Sequence, residues 1–399
     1  MKQYSFDDVV ILHDKDRIPL SAMERQKRQG PYRYYGAQGV IDHVDNFLFD
    51  GEYVLIAEDG ENLKSQKQDV AQLVNGKFWV NNHAHIATTT SLCRLRYFYY
   101  LINSKDLSEY ITGSAQPKLS QASMRKMSFV LPNINTQDKI LGILGGIDDK
   151  IKENERINKN LEEQAVALFR SWFSAFSLSP NSPRVNSEFG EIPEDFAVVK
   201  VGSLPMLVTD YVANGSFASL KANVNLYQEP NYAYFIRNTD LKSGSFGVFV
   251  DQHSYEFLSK STLFGGEIII SNVGDVGSVF LCPKLDGRMT LGNNVIMLRP
   301  EDDHLRYYLY IWFKYLQGQA LIQGIKGGSA QPKFNKTDFK NTSVLIPPKD
   351  MLSCFHETVA PMFETISQRQ TETSRLADLR DTLLPQLMSG EIDVSNLDL

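Results

Sequence analysis

The sequence predicts an α+β protein in which two mixed α/β domains are separated by two long antiparallel coiled-coil helices, as a pseudo-twofold internal repeat. Three observations predict it. The hexapeptide Gly113-Ser114-Ala115-Gln116-Pro117-Lys118 recurs letter for letter as Gly328-Ser329-Ala330-Gln331-Pro332-Lys333, 215 residues later. Each copy is followed by a long helical run with a seam in alternating steps of four and three. Each is preceded by apolar runs of strand length between Gly-rich turns, together with an aromatic-rich helical pattern.

Composition bounds the rest. A length of 399 residues suits two or three domains, and 42% apolar with 22% charged residues excludes wholesale disorder. No run approaches the roughly 18 consecutive apolar residues of a bilayer-spanning helix, and no apolar signal core follows Lys2. The expectation is an unexported, cytoplasmic protein without a membrane partner. Cys93, Cys282 and Cys354 are scattered and form no Cys-x-x-Cys pair, so neither a disulfide framework nor a thiolate zinc site is expected. The net charge of −6 opposes a nucleic-acid partner on average, but it is unevenly spread. Residues 1–135 carry +1, 136–195 carry −4, 196–350 carry +2 and 351–399 carry −5. The acidity sits on the helical segments, which leaves both variable domains open as weakly basic nucleic-acid surfaces.

In chain order, residues 1–135 form the first variable domain. Tyr53-Val54-Leu55-Ile56-Ala57 reads as a buried strand and Leu92 to Ile102 as a helix. Residues 136–178 form the first long helix, free of proline from Gln137 to about Ala175, with Ile147, Ile151, Asn154, Asn158, Leu161, Ala165, Leu168 and Trp172 on one seam. About 38 residues make a rod of roughly 57 Å at 1.5 Å per residue. Residues 179–350 hold a Pro- and Ser-rich linker and the second variable domain, which starts near Gly190-Glu191-Ile192-Pro193. There Glu267 to Ser271 reads as a strand and Leu305 to Leu316 as a helix. Residues 351–389 form the second long helix, whose seam is Met362, Ile366, Arg369, Thr373, Leu376, Arg380, Leu383 and Leu387; residues 390–399 are a tail. The 215-residue offset also matches Gly51-Glu52 with Gly266-Glu267, Tyr100-Leu101 with Tyr315-Leu316, and Ile151, Leu161 and Leu168 with Ile366, Leu376 and Leu383. Both seams are polar in the middle, which costs stability but fixes register. Two amphipathic helices packed each on its own domain remain the alternative.

Variable domain, long helix, second variable domain and second long helix, with Gly-Ser-x-Gln closing each domain, resemble the specificity subunit of Type I restriction-modification systems. The strings that carry the resemblance are the paired hexapeptides, Gly190-Glu191-Ile192-Pro193-Glu194-Asp195-Phe196, Asp50-Gly51-Glu52-Tyr53-Val54-Leu55 and the heptad helices. The resemblance covers essentially the whole chain. It implies that each variable domain is a target recognition domain reading one half of an interrupted site in double-stranded DNA. It implies that the helices set the half-site spacing and dock two modification subunits, which bind S-adenosylmethionine and methylate adenine. Restriction subunits using ATP and Mg can join them.

The hexapeptide has the composition of a phosphate-contacting loop: glycine permits close backbone approach, Ser and Gln donate, and Lys brings charge. Ser114, Gln116, Lys118, Ser329, Gln331 and Lys333 are therefore candidate DNA contacts, against the alternative of a turn that merely steers the chain. Base readers belong where the halves differ. Arg33, Tyr34, Tyr35 and Gln38 combine donors and stacking rings in a Gly-bounded loop, while Asn82 and Asn294 bring amides able to pair with adenine. His83-x-His85 lacks a third ligand, so no metal site is expected. Asp148-Asp149-Lys150, inside the heptad helix, reads as a solvated face. No Gly-x-x-x-x-Gly-Lys-Ser/Thr loop and no Asp/Asn-Pro-Pro-Tyr/Phe string occurs. The chain is thus expected to be non-catalytic and to hold no cofactor, with S-adenosylmethionine, ATP and Mg in its partners. A duplicated coiled-coil scaffold binding protein partners is the competing reading.

Overall fold

The computed structural model describes residues 1–65, 68–113, 116–328 and 331–397, the side chain of Leu316 excepted. The chain divides into two compact units, residues 1–151 with 376–399, and residues 152–375. Each unit holds one variable domain and a stretch of both long helices, a grouping that cuts across the linear segments read from the sequence.

In the first unit, β1 (Lys2–Ser5) pairs antiparallel with β8 (Ser128–Leu131). Between them in sequence lies a six-stranded sheet of β2 (Val10–Leu12), β3 (Tyr32–Gly36), β4 (Gly39–Val44), β5 (Phe49–Ala57), β6 (Ala71–Val80) and β7 (Ala84–Thr89). Its strand order is β2-β7-β5-β6-β3-β4, and only the β3/β6 pair is parallel.

The second unit adds a hairpin of β9 (Arg184–Ser187) and β10 (Gly190–Pro193). It then repeats the scheme: β11 (Ala197–Lys200) pairs antiparallel with β21 (Ser343–Ile346). Four strands, β12 (Met206–Asp210), β17 (Ile268–Ser271), β18 (Val279–Leu281) and β20 (Val295–Pro300), order as β12-β20-β17-β18. Five more, β13 (Leu226–Tyr227), β14 (Ala233–Ile236), β15 (Phe249–Val250), β16 (Thr262–Leu263) and β19 (Arg288–Leu291), order as β13-β15-β14-β19-β16, with β14 parallel to β19 as β3 is to β6. The buried Ile268-Ile269-Ile270 run suits a strand covered on both faces.

The aromatic helices are Leu95–Ser104 and His304–Lys314. The second stops short of the expected Leu316 because Tyr315 is extended, at φ −131° and ψ 166°; a new helix, Leu316–Gly324, follows. Each aromatic helix packs against both long helices, Ile134–Phe169 and Lys349–Ser389. In the first unit Tyr97, Phe98 and Phe129 share a core with Ile140, Leu144 and Leu387. In the second, Tyr308 and Trp312 share one with Phe169, Phe173, Phe355 and Val359. Each fully buried aromatic contributes about 1.5–3 kcal/mol relative to exposure. The first long helix ends in a π-helical segment, Arg170–Ser174, and the second contains Pro361 and Pro385, each removing one backbone donor. Among the described residues no helix is long and apolar enough to cross a membrane.

Candidate nucleic-acid interface

The repeated hexapeptide is held by the same backbone frame in both units. In the first, Thr112 and Lys118 exchange N–H···O bonds of 2.8 Å, and Leu119 N donates to Glu58 O at 2.8 Å. In the second, Gly327 and Lys333 exchange bonds of 2.8 and 2.9 Å, and Phe334 N donates to Asn272 O at 3.1 Å. Leu119 and Phe334 are buried and anchor the base of each loop. Gly113 and Gly328 sit at φ 85° and 88°, and a Cβ at either would strike the carbonyl oxygen of Gln116 or Gln331. Only glycine closes this turn without strain. A short capped helix follows each loop, with Ser120 accepting from Ser123 N and Asn335 from Asp338 N. Gln116, Lys118, Gln331 and Lys333 are exposed, while Ser114 and Ser329 lie outside the described residues.

The asparagine turns come to the same place. Asn82 lies between β6 and β7, and Asn294, at φ 65°, between β19 and β20; both are exposed. The carbonyls of His83 and Asn294 accept from Glu58 N at 2.9 Å and Asn272 N at 3.1 Å, the residues whose own carbonyls hold the loops. In the first unit Gln38, in the two-residue β3–β4 turn, donates to Asn62 Oδ1 at 3.3 Å and borders Gly60. Gln38, Asn82, Gln116 and Lys118 therefore gather at one end of the six-stranded sheet. Asn294, Gln331 and Lys333 gather likewise in the second unit.

The other candidates from this stretch stand apart. Residues 32–44 form a hairpin and not the expected loop. Arg33 is exposed on β3, with its guanidinium on Asn75 O at 2.8 Å and over the Tyr35 ring. Tyr34 is fully buried beside Leu20, Val44 and Trp79; its hydroxyl accepts from Leu20 N at 2.8 Å. Tyr35 faces the opposite core, edge-on to Phe78 at 5.7 Å. Neither ring is available to a base. The reason is that both faces of this sheet are covered, so adjacent tyrosines pointing opposite ways are both buried.

The electrostatics beneath the two loops differ. Asp14, buried where β2 ends, accepts from Ile86 N at 2.9 Å and Gln121 Nε2 at 2.6 Å, and lies 2.5 Å from His85 Nδ1. His85 Nε2 donates to Leu119 O at 2.8 Å. Arg17 reaches Glu58 at 3.2 Å, Ala84 O at 2.9 Å and Asn82 O at 3.3 Å, and Glu58 takes Lys118 Nζ at 3.1 Å. Burial works to raise the Asp14 carboxyl, but His85, Ile86 N–H and Arg17 together hold it below the usual range. Glu58 is likewise held low, burial being outweighed by Lys118, His85 and Arg17. By strand register, Ile296 stands where His85 does and Asn272 where Glu58 does. Asp210 takes the place of Asp14, and Lys336 Nζ, 2.9 Å away, that of Gln121. Among the described residues Lys333 makes no ion pair. His83 is bound by Asp59 at 2.6 Å and His85 by Asp14.

The seam positions of both long helices are all buried or half-buried: Ile147, Ile151, Asn158, Leu161 and Leu168 on the first, and Ile366, Arg369, Thr373, Leu376 and Leu383 on the second, are half-buried, and Asn154 is fully buried. Asn154 Nδ2 donates to Glu372 at 2.8 Å and its Oδ1 accepts from Arg369 at 2.8 Å. In the other unit Arg380 donates to Asp148 Oδ1 at 3.2 Å, and Lys139 to Ser395 O at 2.6 Å. Rising numbers on one helix meet falling numbers on the other within each unit, so the two run antiparallel there. Asp148 is not on a solvated face: its carboxylate is mostly enclosed, beneath the Tyr100 hydroxyl and beside Arg96 and Arg380. The aromatic helix, whose polar side chains carry no seam signal, supplies two of those partners.

Two frames of one design invite comparison with known proteins. The chain is 27% identical over 311 residues to the Type I restriction enzyme MjaIX specificity subunit of Methanocaldococcus jannaschii, covering 75% of this chain and 70% of that one. It is 24% identical over 407 residues to the HindI specificity subunit of Haemophilus influenzae, covering 86% and 84%. The Type I restriction-modification S subunit structure from M. genitalium superposes with a TM-score of 0.56 at 15% identity, over 97% of this chain and 95% of that one. The model of the Type I restriction modification DNA specificity domain matches residues 1–163 and again 193–358, one match for each loop frame. With that domain present twice and spanning most of its length, the chain belongs to the family of Type I restriction-modification specificity subunits.

Proposed function

We propose that each unit reads one half of a bipartite site in double-stranded DNA, with the loop and asparagine turn of its sheet end as the contact surface. The observation that carries this reading is that one exposed, lysine-bearing loop is built twice on one frame, beside turns that differ. The shared loop suits the shared phosphate backbone, and the differing turns suit different bases. Gln116, Lys118, Gln331 and Lys333 take the phosphates, and Gln38, Asn82 and Asn294 face the base edges. The long helices form an antiparallel coiled coil that sets the half-site spacing and docks modification subunits, two by the pseudo-twofold repeat, with restriction subunits joining them. The Asn154–Arg369–Glu372 contact supports a defined register. Methyl transfer and cleavage, with S-adenosylmethionine, ATP and Mg, belong to those cytoplasmic partners, and this chain is non-catalytic.

Exchange of residues 196–350 for the corresponding domain of a relative tests the reading, with the recognised site mapped from methylated adenines in the host genome. One half of the site changes and the other stays. A change in both halves would overturn it.

A further inference from the structure

Both units leave a matched set of apolar side chains bare to water next to the candidate interface. Ile18 is 54% and Met23 72% exposed; Val212 is 45% and Phe217 81% exposed. The two pairs stand 194 residues apart, and so do the exposed Lys27 and Lys221, each four residues after Met23 or Phe217. Met23 is the second residue of a short helix, Ala22–Lys27, and Phe217 the first of another, Phe217–Asn223; their capping serines, Ser21 and Ser216, stand 195 residues apart. A lysine four residues on shares its helical face.

The segment is tied to the interface at its root. It leaves the sheet at Asp14 or Asp210, the carboxylates bound by Gln121 and Lys336 just past each loop. In the first unit Arg17 bonds Asn82 O, and Trp79 Nε1 holds Ile18 O at 2.6 Å. In the second, Asn214 bonds Ser261 Oγ at 2.8 Å; Ser261 precedes β16, whose Thr262 pairs with Thr290 on β19, the strand that runs on into the turn carrying Asn294. Single exposed apolar residues are ordinary. The same apolar pair and lysine on a serine-capped short helix, within two residues of the same spacing from a sheet-end carboxylate in two otherwise divergent domains, is not.

We infer that Met23 and Phe217 are apolar wedges that stack against or between bases at one step of each half-site, with Lys27 and Lys221 on the neighbouring phosphates and Ile18 and Val212 supporting the contact. The inference rests on the DNA-reading function proposed above and adds a readout of base-step deformability to it. The lysines and the continuity with the asparagine turns favour a nucleic acid over a protein as the occupant of this surface.

The test uses the whole chain assembled with its modification subunits on the duplex it directs for methylation. Competition binding and permanganate reactivity of thymines report affinity and unstacking. Phe217→Ala should weaken cognate binding about 5- to 150-fold, the range of one lost base–aromatic stack. It should also abolish hyper-reactive thymines in the half read by residues 196–350 only. Met23→Ala does the same, more weakly, in the other half. Phe217→Leu restores part of the binding, and Leu226→Ala, an exposed apolar residue elsewhere in the same unit, changes nothing. Phe217→Ala binding like the wild type, from a wild-type complex that discriminates its site, overturns this inference alone. Loss of binding that sedimentation traces to failed subunit assembly also overturns it, by assigning the surface to a protein partner. A wild-type complex unable to tell its site from a scrambled duplex overturns the DNA-reading function, and this inference with it.

Discussion

One hexapeptide stands on two foundations. In the first unit it rests on an ionic network of Asp14, His85, Arg17, Glu58 and Lys118. In the second, Ile296 and Asn272 replace the histidine and the glutamate, and Asp210–Lys336 is the ion pair that remains. Identical loops thus share a backbone geometry without sharing an energetic support. The geometry is fixed by glycine and by strand hydrogen bonds. The support is set by residues far apart in sequence: Asp14, Glu58 and His85 in one unit, Asp210 and Lys336 in the other.

The sharpest way to break this contrast is to remove the two carboxylates. Asp14→Ala strands the His85 ring, the Gln121 amide and Ile86 N–H in a closed site and should cost the first unit about 3–5 kcal/mol. Asp210→Ala frees Lys336, which reaches solvent, and loses one cap to Ala213 N, for about 1–2 kcal/mol. Hydrogen exchange at the Leu119 and Phe334 amides in each variant reads the two loops separately. Equal losses would mean that the network is incidental.

Acid probes the same difference by a smaller step. Asp14 and Glu58 have native pKa values below their ordinary 3.8 and 4.5, so the stability they lend is fully present above those ordinary values. It is lost as the pH falls through the lower native values. Protection of Leu119 should therefore decline below about pH 4 in the first unit, and Glu58→Gln should blunt the decline. Asn272, standing where Glu58 does, has no proton to gain, so Phe334 should lose less protection than Leu119 over that range. Parallel decline at both amides would place the acid sensitivity elsewhere.

Much of this architecture was legible in the sequence, because it is written in local or strictly periodic signals. The repeated hexapeptide marks both loop frames, and the four-three rhythm marks both long helices. What was illegible lies in contacts across the chain. Asp14, Glu58, His85 and Lys118 form no short motif, and Asp148 looks solvated until the aromatic helix is laid over it. Tyr34 and Tyr35 resemble a stacking pair because the Gly-bounded run reads as an open loop, whereas it is a strand covered on both faces. The Met23/Phe217 correspondence escaped for another reason: its offset is 194 and not 215, since the domains differ in length between that segment and the loop. A search at one offset finds only what no insertion has moved.

The smallest expected effect is the one closest to function. Lys118 meets Glu58 at 3.1 Å, so at the proposed interface its charge would be partly neutralised before DNA arrives, whereas Lys333, without an ion pair among the described residues, would carry its full charge into the contact. Each phosphate neutralised by a free cation releases about 0.9 of a counterion, and removing such a lysine lowers the salt slope of binding by about 1. Lys333→Gln should reduce the slope of log K against log salt by that amount, and Lys118→Gln by less. In a Glu58→Gln background, Lys118→Gln should recover the full reduction, because the lysine no longer has an internal partner. Equal slopes for the two single variants would mean that Lys118 leaves Glu58 on binding. The ionic network would then be a foundation for the fold alone, with no bearing on the charge presented to DNA.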